Sequence, residues 1–293
     1  MTSPILLVSE LDEQLFGDPC SLNRLRTWLV KCRAWIRLVY LTRQFTSWVR
    51  QMVEAGRFPA PDFVVTSAGT EVDCFWDNRP VDGWKSRMPA AWSSTAVREV
   101  LADVPELKLQ PEATQSLFKV SYLLETFSPR SLLSIEVALS EAGMDCDLSY
   151  VRSHSLDILP RGINQVAAVR FLALKNSIPR SHIIVSGTSR ADLDLYQEGY
   201  RGVVAASAER ALRERVAAPV YLSDRSHSDG LLEGIQYWAT QLDGYNETSF
   251  SPFVATPCIQ ILSESENVAL PGMQRCEYRS RLPALAGIRR CIV

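Results

Sequence analysis

Short apolar runs that alternate with helical spacing open this chain and return after its midpoint, and they narrow its architecture more than any other feature. Ile5-Leu6-Leu7-Val8-Ser9 carries no charge and closes on Glu10-Leu11-Asp12-Glu13. The pattern suits a strand covered on both faces, with polar groups at its C-terminal end. Leu22, Leu25, Trp28 and Leu29 then recur at helical spacing, and Ile36–Leu41 reads as a second strand followed by Thr42. A helix over 45–55 and a strand over 63–66 continue the series. Strand, helix and strand at this spacing call for a parallel sheet with right-handed crossovers. Such sheets take their ligands beyond the strand C-termini, where Glu10, Asp12 and Thr42 fall.

The middle of the chain breaks the pattern. Trp76, Trp84 and Trp92 precede a helix over 95–101, a strand over 118–123 and a helix over 129–142, so residues 76–154 read as an inserted α+β module. The run 156–160 leads into a helix over 164–176; strands over 183–187 and 202–205 and a helix over 229–242 complete the regular part. This gives a core from 1–75 and 155–240, with an extension over 241–293. The extension holds Phe250, Phe253, Ile259, Ile261 and Leu262, and part of it is expected to pack on the body or on another chain.

Several function classes fall away at this level. The chain has 31 basic and 33 acidic side chains, a formal net charge of −2, and so lacks the basic excess that nucleic-acid binding through phosphates requires. No apolar run nears the roughly 20 residues needed to span a bilayer. Seven cysteines without a Cys-x-x-Cys pair, and an N-terminus without a basic flank and apolar core, point to a reducing cytoplasm. His154, His182 and His227 are too scattered for local zinc-ligand spacing. Neither a Gly-x-x-x-x-Gly-Lys nucleotide loop nor a Gly-x-Ser-x-Gly nucleophile elbow occurs.

Seven segments, taken in order, resemble the sucrose-6-phosphate phosphatases of the haloacid dehalogenase (HAD) superfamily. Leu6-Leu7-Val8-Ser9-Glu10-Leu11-Asp12 is similar to a first motif of hydrophobic residues followed by Asp-x-Asp-Gly-Thr, and Leu38-Val39-Tyr40-Leu41-Thr42 to the second motif. Thr66-Ser67-Ala68-Gly69-Thr70-Glu71 resembles the stretch before the family's cap, and Lys119-Val120-Ser121-Tyr122 the cap itself. Leu156-Asp157-Ile158-Leu159-Pro160-Arg161 resembles the return to the core. Gly187-Thr188-Ser189-Arg190-Ala191-Asp192 stands in place of Gly-Asp-Ser-Gly-Asn-Asp, and 226–235 resembles the closing loop and helix.

The resemblance implies an α/β fold: a HAD-like Rossmannoid core with a parallel sheet and an inserted α+β cap of the C2 type at 76–154. In active members the first Asp attacks phosphorus, the second shuttles a proton, a Thr and a Lys hold the phosphoryl oxygens, and Mg²⁺ bridges the first and fourth motifs. Gly69, Thr70, Glu71, Lys119 and Ser121 correspond to substrate-binding positions, and Asp12, Thr188 and Asp192 to metal positions.

The departures fall on the chemistry. Glu10 stands at the nucleophile position, Glu13-Gln14 replaces Gly-Thr, Asn164 replaces the lysine, and Thr188 replaces a metal-binding Asp. Asp12, Thr42 and Asp192 are retained, and each also has a local reading as a loop or helix-capping residue. The expectation is a catalytically inactive phosphatase-like protein without a cofactor, acting as a binding or regulatory partner, for example of a sucrose-phosphate synthase, with a sugar or sugar phosphate as ligand. The alternative is an active Mg²⁺-dependent phosphatase for sucrose-6-phosphate or a related sugar phosphate.

Overall fold

The structure, a computed structural model, describes residues 3–11, 17–124, 128–151 and 155–242. The expected extension therefore lies outside the described residues, apart from Gln241 and Leu242. Strand β1 (Ile5–Glu10) is central and pairs in parallel with β2 (Ile36–Leu41) on one side and β10 (Ile183–Ser186) on the other. Its side chains alternate between two cores, which explains the uninterrupted apolar run. Ile5 and Leu7 pack with Leu25, Trp28, Tyr40, Leu231 and Trp238; Leu6 and Val8 pack with Val39, Leu41, Leu172 and Val185. Burying each such side chain stabilises the fold by about 1.5–3 kcal/mol.

Outward from this centre run β3 (Phe63–Thr66) beside β2, and β11 (Arg201–Val204) and β12 (Val220–Leu222) beyond β10. The short strands β4 (Glu71–Cys74) and β5 (Arg79–Pro80) extend the β3 edge antiparallel, making an eight-stranded sheet. Helices α1 (Pro19–Lys31) and α6 (His227–Ala239) cover one face and are joined by the Arg24–Asp229 ion pair. Asp18 caps α1, accepting from the backbone N–H of Cys20 at 3.1 Å and of Ser21 at 2.9 Å. Burial pushes the Asp18 carboxyl up, but the bonds from Ser21 and Cys20 and the nearby Arg24 charge outweigh it and hold it below its ordinary value. On the opposite face lies α5 (Gln165–Lys175).

The second sheet has four antiparallel strands in the order β6 (Leu107–Leu109), β7 (Val120–Leu124), β9 (Ser155–Pro160) and β8 (Cys146–Val151). Helices α3 (Ser94–Val100) and α4 (Pro129–Glu141) back it through Val97, Leu101, Ile135 and Leu139. Two boundaries differ from the sequence reading. β9, expected in the core, pairs along its length with β8 and β7, while β5, expected in the inserted module, lies on the edge of the large sheet. A lone apolar strand carries no mark of which sheet it joins, and a two-residue strand ending in proline carries almost no signal.

The chain crosses between the sheets twice. On the way out, Trp84 stacks on Phe171 with ring centroids 5.1 Å apart and donates from Nε1 to the Thr70 carbonyl at 3.1 Å. Trp92 donates from Nε1 to the Leu117 carbonyl at 3.0 Å and packs on the second core. Trp76 instead is 61 % exposed. On the way back, Arg161 donates to Asp145 at 2.9 Å and Asp147 at 2.6 Å, and the Gly162 N–H to Asp147 at 2.7 Å. Among the described residues, no helix is long and apolar enough to cross a membrane.

Candidate functional site

Parallel pairing brings the C-terminal ends of β1, β2, β3 and β10 together. Ser9 lies opposite Ser186 and Glu10 opposite Leu41, while the Leu11 N–H donates to the Leu41 carbonyl and the Thr42 N–H to the Val65 carbonyl. Glu10 is half-buried at the tip of β1. Asp12, the expected acid and metal position, lies outside the described residues.

Thr42 is 2 % exposed, and its Oγ1 accepts from the Gln44 N–H at 3.0 Å. This is a hydroxyl-closed turn rather than the helix cap that its place after a strand suggests. The next helix, α2 (Thr46–Glu54), has Phe45 at its N-cap and no side-chain capping bond.

The residues before the second sheet form a strained turn. Ser67, Ala68 and Gly69 all have positive φ, at 50°, 57° and 98°. A Cβ on Gly69 would stand 2.1 Å from the Asn164 carbonyl carbon, so only glycine lets this turn seat against the start of α5. Thr70 donates from Oγ1 to the Ser67 carbonyl at 3.0 Å, and Glu71 accepts from the Thr66 hydroxyl at 3.0 Å. Asn164 N-caps α5: its Oδ1 accepts from the Ala167 N–H at 2.9 Å. The residue in the lysine position is thus folded onto its own helix and carries no charge.

Asp192 is used in a similar way. Its Oδ2 accepts from the Thr188 N–H at 3.0 Å, the Ser189 N–H at 2.8 Å and the Ser189 hydroxyl at 3.1 Å, closing a capping box at the 3-10 turn Arg190–Asp192. Burial nevertheless raises its carboxyl above the ordinary value. The Thr188 carbonyl receives the Glu209 N–H at 2.7 Å, and a Glu209 carboxylate oxygen receives the Arg190 N–H at 3.0 Å.

In the second sheet, Lys119 donates to the Thr114 carbonyl at 2.7 Å and to the Ser121 hydroxyl at 2.6 Å, with Asp157 3.8 Å away. The Ser121 hydroxyl donates to Asp157 at 2.6 Å, and Gln115 brackets the Ser121 backbone. Burial pushes the Lys119 ammonium below its ordinary value; Asp157 and Glu71 oppose that shift, and Arg43 adds to it. Gly69, Thr70, Glu71, Lys119 and Ser121 therefore all have internal packing or bonding roles.

Asp157, Gln115 and Arg43 were not singled out from the sequence. A signal for Asp157 existed: it is a lone carboxylate inside the apolar run 156–160 and lies directly opposite Ser121. Among the described residues, no three His, Cys, Asp or Glu side chains come together as a metal site. Asp192 Oδ2 already accepts three hydrogen bonds, and Asp12, the other retained metal position, lies outside the described residues.

A parallel core with an inserted antiparallel module is the architecture of the HAD superfamily. The sucrose-phosphatase of Synechocystis sp., solved in complex with sucrose and phosphate, superposes with a TM-score of 0.72 at 24% identity, covering 80% of this chain and 98% of that one. A haloacid dehalogenase-like hydrolase of Bacillus subtilis superposes with a TM-score of 0.58 at 18% identity over 81% of this chain and 93% of its own.

Within that superfamily, residues 3–239 match the sucrose-6F-phosphate phosphohydrolase family, and the chain belongs to it. Sucrose-phosphatase 1 of Nicotiana tabacum is 28% identical over 225 residues, 73% of this chain and 53% of that protein. Mannosylfructose-phosphate phosphatase of Agrobacterium fabrum is 24% identical over 241 residues, 80% of this chain and 96% of that one. The chain spans about half the length of the tobacco enzyme. Family members are phosphatases, that is, phosphoric monoester hydrolases.

Proposed function

We propose that this chain is a catalytically retired member of its family, a binding or regulatory protein that holds a sugar or sugar phosphate without cleaving it. The enzyme that makes the phosphorylated sugar, such as a sucrose-phosphate synthase, is the partner such a subunit would regulate. The observation that carries the reading is Asn164, whose side chain caps α5 where active relatives are expected to hold phosphate with a lysine.

The physical argument is one of lost charge and lost reach. Phosphoryl transfer is catalysed by positioning and by cations set against developing negative charge. Glu10 carries its carboxylate about 1.5 Å further from the backbone than aspartate. A misplacement of about 1 Å already lowers rates on the order of 100-fold. Each lost preorganised donor or charge removes about 3–4 kcal/mol of transition-state stabilisation. Asn164 and Thr188 both offer neutral groups in place of charged ones.

The test is a phosphate-release assay on the purified chain with sucrose-6-phosphate, with and without Mg²⁺. We expect no release above background, and Asn164→Lys alone to recover none, because groups that act as a unit are not restored singly. The three changes Glu10→Asp, Asn164→Lys and Thr188→Asp together set the upper limit of any recovery. Robust turnover by the unmodified chain, abolished by Asp12→Asn, would replace this reading with that of an active Mg²⁺-dependent phosphatase.

A further inference from the structure

Charge is sorted along this chain far more than its net value of −2 shows. Residues 19–61 hold eight basic side chains and one acidic one, Glu54, while residues 99–147 hold nine acidic and three basic. The first stretch contains α1 and the second contains α4, so two helices from different sheets stand in surroundings of opposite charge.

Each helix also shows an uncovered stripe. On α1, Asn23, Arg26, Thr27 and Val30 are exposed at steps of three and four residues, with Lys31 beside them, and Val30 is 67 % exposed. Arg26 Nη1 donates to the Gly56 carbonyl at 2.8 Å, which brings the exposed Arg57 to the same surface. On α4, Leu133, Glu136, Val137 and Ser140 repeat that spacing with Glu141 beside them; Leu133 is 60 % exposed and Val137 44 %. Among the described residues, Lys31, Arg57, Glu136 and Glu141 have no ion-pair partner. Both stripes are open within one copy, so they do not cover each other.

An apolar helix stripe edged by one sign of charge is complementary to a stripe edged by the other, and unlike patches steer such an encounter. A net charge of −2 sets little repulsion between whole copies against it. We infer that these stripes form a self-association surface. Helix α1 of one copy packs on α4 of another, Val30 against Leu133 and Val137, with Arg26, Lys31 and Arg57 facing Glu136 and Glu141. The inference goes beyond the non-catalytic reading and holds whether or not the chain releases phosphate.

Sedimentation velocity of the full chain across ionic strength tests it. Association should be present at about 0.01 M salt and weaken toward about 0.15 M, as the screening length falls from roughly 30 Å to 8 Å. Lys31→Glu with Arg57→Glu, and separately Glu136→Lys with Glu141→Lys, should each weaken self-association about tenfold or more. Mixed in equal amounts, these two variants should associate with each other, since one offers an acidic α1 surface and the other a basic α4; their pairing also shows that both are folded. Arg215→Glu, an equal change of charge in the connection between β11 and β12, should leave association unchanged. Four results would each overturn the inference: a monomer at every salt concentration, association unmoved by either pair of reversals, a mixture that stays monomeric, or an equal loss in Arg215→Glu.

Discussion

At the ends of the core strands, polar side chains bond within a few residues of themselves: Thr42 to Gln44, Asn164 to Ala167, and Asp192 to Thr188 and Ser189. In the inserted sheet, Ser121 bonds to Asp157, 36 residues away, and Lys119 completes the cluster from beside the same strand. The two regions solve one problem, that of buried polar groups, on different scales. Local closures form as soon as a turn forms and need no partner from elsewhere in the chain. The cross-strand cluster exists only once β7 and β9 have paired, so it ties its polar groups to the integrity of the sheet.

The largest effect should fall where the two regions meet. Gly69→Ala would drive a Cβ into the Asn164 backbone at a φ of 98°, and it should lower unfolding free energy by about 3 kcal/mol in thermal or urea denaturation. A near-neutral result would mean that the turn is free to lift away from α5.

Next comes the cluster itself. Asp157→Ala leaves the Lys119 ammonium buried without its counter-charge and should cost about 3 kcal/mol. If the cluster acts as a unit, Lys119→Met combined with Asp157→Ala should cost less than the two single changes added together. Strict additivity would erase the distinction between the regions.

The smallest effect concerns a local closure and its charge. The Asp18 carboxyl is held below its ordinary value of 3.8, so its ionised form is the one that folding favours. The advantage of the unmodified chain over Asp18→Asn is therefore present above that pH and is lost as pH falls through the folded-state value. The difference should stay under about 1 kcal/mol at neutral pH, since Asn also caps. Denaturation midpoints of both proteins across the acid range would show the convergence.

Much of the core was legible because strand and helix alternate within it. β1, β2, β3, β10 and β11 lie where their apolar runs stand, and Asn164 at the head of an apolar helix is a capping signal in plain view. The allegiance of β9 was not legible, because an apolar run does not mark its partners: here β8, just before it in the chain, and β7, far earlier. For the same reason Ser121 could be picked out while Asp157, its partner, passed as part of the return segment.

The two crossings between the sheets have a mechanical consequence. Outbound, Trp84 and Met88 are fastened to the large sheet's core and Trp92 to the smaller one, and the exposed run Pro89-Ala90-Ala91 between them is closed as a turn by the Trp92 N–H to the Pro89 carbonyl at 3.1 Å. Inbound, Arg161 and Gly162 are clamped to Asp145 and Asp147 of the smaller body, while Ile163 is buried in the larger and Asn164 caps its helix. The Ile163 N–H also donates to the Pro160 carbonyl at 3.1 Å, which ties the start of the larger body's segment to β9. The inbound crossing, bonded on both sides of Gly162, is therefore the stiffer of the two links.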